Sequence, residues 1–408
     1  ATSTGFLKSV RTYKTDLAGG LIPSSNDLFT LFCGDSQGNV VNELYYGGDG
    51  TRLQLPGTLP TCSPAVPTSG FQYRIDHTYA GGVRKTSGYY GAAHLLLDLT
   101  INTRTGMPAS SRNVAGVETQ FTYDDLGRMT RSLPMSLGGL GRDAQTEYTY
   151  PASNVVEMAR CAAEQANCGT TRLTFERQEL TGFGQTWHVR RDMPVTTLKS
   201  VQLTRYNKMG WKERESTWFL NADGAISNET GRSATVWSSY DAFGRPGLVT
   251  LPDNTFTKYL YQGVQWVGTE QYLAQNISGT ETCGRRWNRF DRQGRLDRVE
   301  EGYVCTVTGG PVGQISEYSF DEAGHLTKVC QNGSGSTCGQ QRLFSYDNRG
   351  FLTSEQHPEK GGASGQGTVS YSCFDARGHN RYRDDGTTAR RLAYTFDGFE
   401  RLTKVRAP

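Results

Sequence analysis

The chain has few methionines and few histidines, six of each in 408 residues, and no uninterrupted apolar segment of membrane-spanning length. Its longest apolar run, Ala92-Ala93-His94-Leu95-Leu96-Leu97, stops at Asp98, far short of the ~20 residues a spanning helix requires. No membrane span is expected. Charge of one sign is also missing: 43 basic residues face 40 acidic ones with no block of either, which argues against a nucleic-acid groove and an acidic tail.

Catalytic signatures are absent as well. There is no His-Glu-x-x-His, Ser364 lacks the Gly-x-Ser-x-Gly flanks of a nucleophile elbow, and the glycine-rich segment 361–367 lacks the Gly-Lys-Ser/Thr ending of a phosphate cradle. The expectation is a chain that is not an enzyme and carries no cofactor. It begins with Ala1, and no basic-then-apolar leader precedes the fold, which fits either a mature secreted chain or a fragment.

What abounds is glycine and tyrosine, 49 and 21 residues, the composition of many short strands joined by tight turns. One sentence recurs: Tyr123-Asp124-x-x-Gly127-Arg128, Tyr240-Asp241-x-x-Gly244-Arg245, Phe290-Asp291-x-x-Gly294-Arg295, Phe320-Asp321-x-x-Gly324-His325, Tyr346-Asp347-x-x-Gly350-Phe351 and Phe374-Asp375-x-x-Gly378-His379. Looser copies start at Tyr206-Asn207 and Phe396-Asp397, and Phe175-Glu176 reads as a degenerate one. Asp at the first turn position can bond the backbone that follows it, and Gly three residues later accepts positive φ, so each copy reads as a hairpin tip. The aromatic before the Asp and the apolar residue two after the Gly then face each other across two antiparallel strands. An isolated hairpin is unstable in water, so each must add its strands to its neighbours. Carboxylates at hairpin tips are turn formers rather than general acids, and the aromatics before them are core.

At these residues the chain resembles the YD-repeat (RHS) family, which includes bacterial RHS toxins, insecticidal toxin complexes and teneurins. The match runs from about Phe121 to the C-terminus; before Gly116 only echoes occur, Gly34-Asp35-Ser36-Gln37-Gly38 and Gly47-Gly48-Asp49-Gly50. The resemblance implies an all-β, antiparallel hairpin ribbon coiling into a shell or part of one. From the residues themselves, 1–116 read as a β-rich entry region of short strands and glycine turns, with 55–67 a surface loop because proline donates no ladder bond, and 117–408 as the repeat ribbon. Toxins of the family end their shell with an Asp-Pro-x-Gly protease segment and a toxin domain, and this chain has no Asp-Pro pair. Closed shells also take more chain than this, so exposed sheet edges are expected.

Nine cysteines follow the repeat. Cys168, Cys283 and Cys338 precede Phe175, Phe290 and Tyr346 by seven or eight residues, and the spacings suggest disulfides Cys33–Cys62, Cys161–Cys168, Cys283–Cys305 and Cys330–Cys338. Zinc is the rival, but no Cys-x-x-Cys or His at ligand spacing accompanies these pairs. Disulfides imply an oxidising compartment and a secreted or cell-surface location. Cys373 is left over, read as buried and inert or as an intermolecular link. Residues 154–166 have helical composition, but a strand ending near Cys161 is favoured.

Two functions follow from the resemblance and the repeat. One is a non-catalytic secreted scaffold that encloses or delivers a polypeptide, toxin-like cargo. The other is an extracellular structural or adhesive protein that assembles with copies of itself or binds cell-surface proteins or glycans, the glycans through its aromatics. Asn228, Asn276 and Asn332 fit the N-glycosylation pattern.

Overall fold

The computed structural model describes residues 6–14, 16–17, 20–21, 23–50, 54–135, 145–161, 168, 172–192, 198–221, 231–272, 283–302, 313–332, 338–360 and 367–407. They fall into two compact units, one formed by Ala1–Gly116 with Glu317–Pro408 and the other by Val117–Ser316. Among the described residues the chain is all-β, with 32 strands, one single-turn 3-10 helix at Pro358–Lys360 and no α-helix.

Pairing is antiparallel and follows chain order. In the first unit Leu28–Gly34 pairs with Val40–Gly47, which pairs with Tyr73–Ala80, which pairs with Val83–Tyr89. In the second, Thr146–Ala152, Val155–Cys161, Arg172–Leu180, Thr186–Asp192 and Lys199–Tyr206 succeed one another the same way. Lys199–Tyr206 then divides: its first half pairs with Phe219–Asn221 and its second with Lys212–Ser216. Residues 155–161 are therefore strand, despite their helical composition, because each of their edges is taken by a neighbour.

Strand alternation places the core. In Leu28–Gly34 the residues Phe29, Leu31 and Cys33 are buried and cluster with Leu44, Tyr46 and Leu55. The proline-rich loop supplies Leu59, Cys62 and Val66 as a cover, tied down by the Cys33–Cys62 disulfide with a Cα–Cα distance of 5.6 Å. Each such side chain stabilises the fold by about 1.5–3 kcal/mol relative to exposure. In the second unit Val201, Leu203 and Phe219 form a smaller cluster with Trp187 against it.

The hairpin tips share one geometry. The Asp124 N–H donates to the Arg128 carbonyl (2.9 Å) and the Gly127 N–H to the Asp124 carbonyl (3.0 Å). The Asp124 carboxylate accepts the N–H groups of Leu126 and Arg128 and the Nε of Arg128 at 2.8 Å. Asp241, Asp291, Asp321, Asp347, Asp375 and Asp397 close the same backbone ring. Glycines 127, 244, 294, 324, 350 and 378 sit at φ between +78° and +93°, the left-handed region a side chain would strain. Glu400 takes that position at φ +61° in the last copy. Across each tip the register pairs Tyr123 with Met129, Phe290 with Leu296, Tyr346 with Leu352 and Phe396 with Leu402.

Three sequence readings need correcting. Phe175-Glu176 is not a turn, because Arg172–Leu180 runs through it as one strand. The tip lies at Leu180-Thr181-Gly182-Phe183-Gly184-Gln185, where the Thr181 hydroxyl replaces the carboxylate and accepts the N–H groups of Phe183 and Gln185. The echo at Gly34–Gly38 is a complete tip, with Asp35 accepting the N–H groups of Gln37 and Asn39. The echo at Gly47–Gly50 is no tip at all; its role is described below.

Candidate functional site

Counting the aromatic as the first residue of each copy, the sixth residue stacks on the aromatic of the next hairpin. Trp211 meets Tyr240 (ring centroids 5.2 Å), His325 meets Tyr346 (4.7 Å), Phe351 meets Phe374 (5.1 Å) and His379 meets Phe396 (4.7 Å). Arg128 lies over Tyr150 and Arg245 over Tyr261, each at 4.1 Å. A second contact fixes the same step. The hydroxyls of Tyr150, Tyr206, Tyr240 and Tyr261 donate to the carbonyls of Met129, Thr186, Lys212 and Pro246, each the seventh residue of the preceding copy. Within each unit the hairpins are thus joined side to side by a repeated stacking contact, and in the second unit these four tyrosines add one hydrogen bond each.

Burial disfavours charge at these tips, yet backbone N–H donors and the following Arg outweigh it. They hold the carboxyls of Asp124, Asp241 and Asp291 below the ordinary value. Each of these three carboxylates is committed to the N–H groups and the arginine of its own turn.

In the first unit the ladder carries a further structure. Gly47-Gly48-Asp49 passes so close to the tips at 347–350 and 374–378 that a Cβ on Gly48 would lie 2.5 Å from the Phe374 carbonyl oxygen. The Asp49 N–H donates to that carbonyl at 2.7 Å. Its carboxylate accepts Arg349 at 3.1 Å, Lys14 at 2.6 Å and the Phe374 N–H at 3.2 Å. The Arg349 side chain is fully buried and also bonds Asp347 at 2.6 Å and the Asn26 carbonyl at 3.1 Å. Burial raises the Asp49 pKa, and Arg349 and Lys14 more than reverse this, leaving its carboxyl below the ordinary value.

The neighbouring tip is held in the same way. Asp375, fully buried, accepts the Tyr73 hydroxyl, and Gln72 accepts the Ala376 N–H at 2.9 Å. Burial, then the Asp375 carboxylate, push the Tyr73 phenol up. Arg377 lies over Tyr45 at 4.5 Å, and Tyr89 meets Phe399 at 6.0 Å. These contacts latch the strands at 40–47, 73–80 and 83–89 to three successive tips about 300 residues away.

Sequence reasoning missed Asp49 and Arg349. The one local signal was that the copy at Tyr346 has Phe351 after its glycine and Arg349 before it, where the other five strict copies place Arg or His after the glycine.

Cross-strand neighbours also build a Ser-His-Glu chain. Ser87 Oγ lies 2.7 Å from His77 Nδ1, His77 Nε2 lies 3.0 Å from Glu43, and Glu43 accepts the Tyr45 hydroxyl at 2.6 Å. Ser87 is 8% exposed, and a nucleophile needs a substrate beside it. This is a buried hydrogen-bond relay on the sheet.

The cysteines predicted to pair at 161/168 and 330/338 are joined, with Cα–Cα distances of 5.4 and 5.3 Å. The Cys283–Cys305 proposal, the 361–366 segment with Ser364, and the sequons at Asn228 and Asn276 lie outside the described residues or side chains. Cys373 is the free thiol among the described residues, half-buried with its Sγ 3.3 Å from the Asp49 carbonyl, and burial raises its pKa. Several aromatic faces that might have met a sugar are covered by the protein's own cations, such as Arg191 on Trp218 and Lys258 on Tyr272. A cleft of about 680 Å³ under the proline-rich loop is lined mainly by apolar groups, among them Phe6, Leu31, Phe32 and Leu59.

No protein-family model and no curated protein matches the chain. Solved structures do. A TcdB2-TccC3-TEV structure is 12% identical with a TM-score of 0.43, and a TcdB2-TccC3-Cdc42 structure is 12% identical with a TM-score of 0.40. A Photorhabdus luminescens Tc holotoxin pore carrying a TccC3 mutation is 11% identical with a TM-score of 0.39. The similarity covers 92%, 92% and 93% of this chain but 23% of each of those chains. Among the described residues no helix is long and apolar enough to cross a membrane.

Proposed function

We propose that the chain is wall material of an exported, non-catalytic YD-repeat scaffold that encloses or delivers a polypeptide cargo. The observation that carries this reading is the latch, in which Asp49, Tyr73 and Gln72 clamp tips about 300 residues further along. A ribbon fastened back onto itself is what an enclosing wall requires. The ionisable groups with a catalytic look, Asp124 to Asp397 and the Ser87–His77–Glu43 relay, are all taken up by turns and strand contacts. Three disulfides among the described residues support an oxidising, extracellular setting.

One feature favours the second reading, a self-assembling structural protein. Strand Leu402–Arg406 is exposed along its whole length, and an unpaired edge is a template for another strand.

The test is size-resolved electron microscopy with intact mass measurement of the native material under non-reducing conditions. Discrete hollow particles containing an additional polypeptide are expected. Long polymers of a 45.0 kDa chain would replace this reading with the filament.

A further inference from the structure

We propose that Glu147, Cys161 and Cys168 form a zinc-class cation site, closed while the two cysteines are joined and opened by their reduction. Cys161 ends strand Val155–Cys161, and Glu147 stands on the adjacent strand Thr146–Ala152. The register sets Glu147 opposite Ala159, so Glu147 and Cys161, two residues beyond Ala159, share a face. One carboxylate oxygen and the two sulfurs all lie within 4.8 Å of one another, and both cysteines are buried.

The carboxylate is positioned in advance. Glu147 accepts the Cys168 N–H at 2.8 Å and the Gln145 side-chain amide at 2.6 Å. Gln145 is itself fully buried and accepts Arg131 at 3.1 Å. Hydrogen bonds of this kind orient the carboxylate ligands of metal sites. A cavity of about 220 Å³ adjoins Glu147 and Cys168, with Thr149, Glu157 and Arg172 as its other polar lining and Ala159 and Phe175 as its apolar lining, and gives room for an ion with its water.

The chemistry balances with a thiol or dithiol reductant. Two electrons and two protons convert the disulfide into two thiols while the reductant leaves as its own disulfide. A divalent soft cation then displaces both protons and gains two thiolates and one carboxylate, with water completing a tetrahedral shell. Two sulfur ligands out of three select zinc over calcium or magnesium. The two cysteines are thus tied to each other in either redox state, by a covalent bond or through an ion. Sequence spacing hid the site because the third ligand comes from the neighbouring strand, fourteen residues before Cys161.

The full chain, reduced anaerobically with a phosphine, is titrated with Co²⁺ and then Zn²⁺. A thiolate-to-cobalt charge-transfer band that saturates at one equivalent and is bleached by zinc is expected, and the unreduced protein gives no such band. The Cys161→Ser/Cys168→Ser variant loses the band, while Cys330→Ser/Cys338→Ser keeps it. Glu147→Gln leaves the disulfide intact and weakens zinc binding to the reduced chain by about 10-fold or more. Absence of the band, its survival in the Cys161/Cys168 variant, or parental affinity in Glu147→Gln overturns the proposal. If the double serine variant fails to fold, the Glu147→Gln titration decides alone.

Discussion

Replacing Arg349 with alanine removes a fully buried guanidinium and leaves Asp49 and Asp347 facing each other without it. Breaking a buried pair by deleting one partner costs about 3–5 kcal/mol; Asp49 keeps Lys14, so the loss falls mainly on Asp347, whose carboxylate loses the cation it faces. In a unit of this size class that lowers Tm by roughly 6–20 °C. The matched control is Arg205→Ala, which deletes a Glu213 ion pair with side chains 56% and 42% exposed. Solvent screening limits that loss to about 0–1 kcal/mol. Calorimetry compares the two, and native-state hydrogen exchange locates the damage. In Arg349→Ala, strands Leu28–Gly34 and Val40–Gly47 should exchange faster while the tip at Asp241 keeps its protection. Equal losses in the two variants, or unchanged exchange in those strands, would refute the latch.

Four other outcomes follow from the same contacts. Although burial raises it, the Asp49 pKa ends below its ordinary 3.8, through Arg349 and Lys14. A folded-state pKa below the unfolded one means this stabilisation is whole above that value and is lost as pH falls through the lower, folded one; acid titration by near-UV circular dichroism should show a weaker dependence in Asp49→Asn. Gly48→Ala, at φ +127° and against the Phe374 carbonyl, should cost about 1–3 kcal/mol or more in urea unfolding, whereas Gly57→Ala, with open space around it, should stay within about 0.5 kcal/mol. Tyr240→Phe removes the hydroxyl that bonds the Lys212 carbonyl and should cost about 1 kcal/mol by the same assay. Thr181→Val should cost about 1 kcal/mol through the lost N–H acceptor, and Thr181→Asp should retain the turn.

How much of this could be read from the sequence depends on the range of each interaction. The tips were legible because Asp124 bonds groups two and four residues away and Gly127 is required by φ alone. Thr181 escaped notice because a hydroxyl does the work of a carboxylate, so the chemistry is kept while the letter changes. The stacking of His325 on Tyr346 and Phe351 on Phe374 was half visible, since both partners belong to the repeat but their meeting depends on how successive hairpins pair. Asp49 with Arg349, Tyr73 with Asp375, and Ser87 with His77 and Glu43 lay beyond it. Those contacts are made across strands, and the first two join residues 300 and 302 apart. Gly47-Gly48-Asp49 read as a turn because its composition is that of one; only the approach of Phe374 explains why glycine is needed there.

The central claim is that this chain walls off a polypeptide. Protease protection tests it most directly: native particles containing the chain are treated with a broad-specificity protease, intact and after acid unfolding, and the products are identified by mass. The account predicts a second polypeptide that survives in the intact particles and is digested once the wall is opened. Digestion of every associated polypeptide at the same rate before and after opening, or no second polypeptide at all, would contradict it.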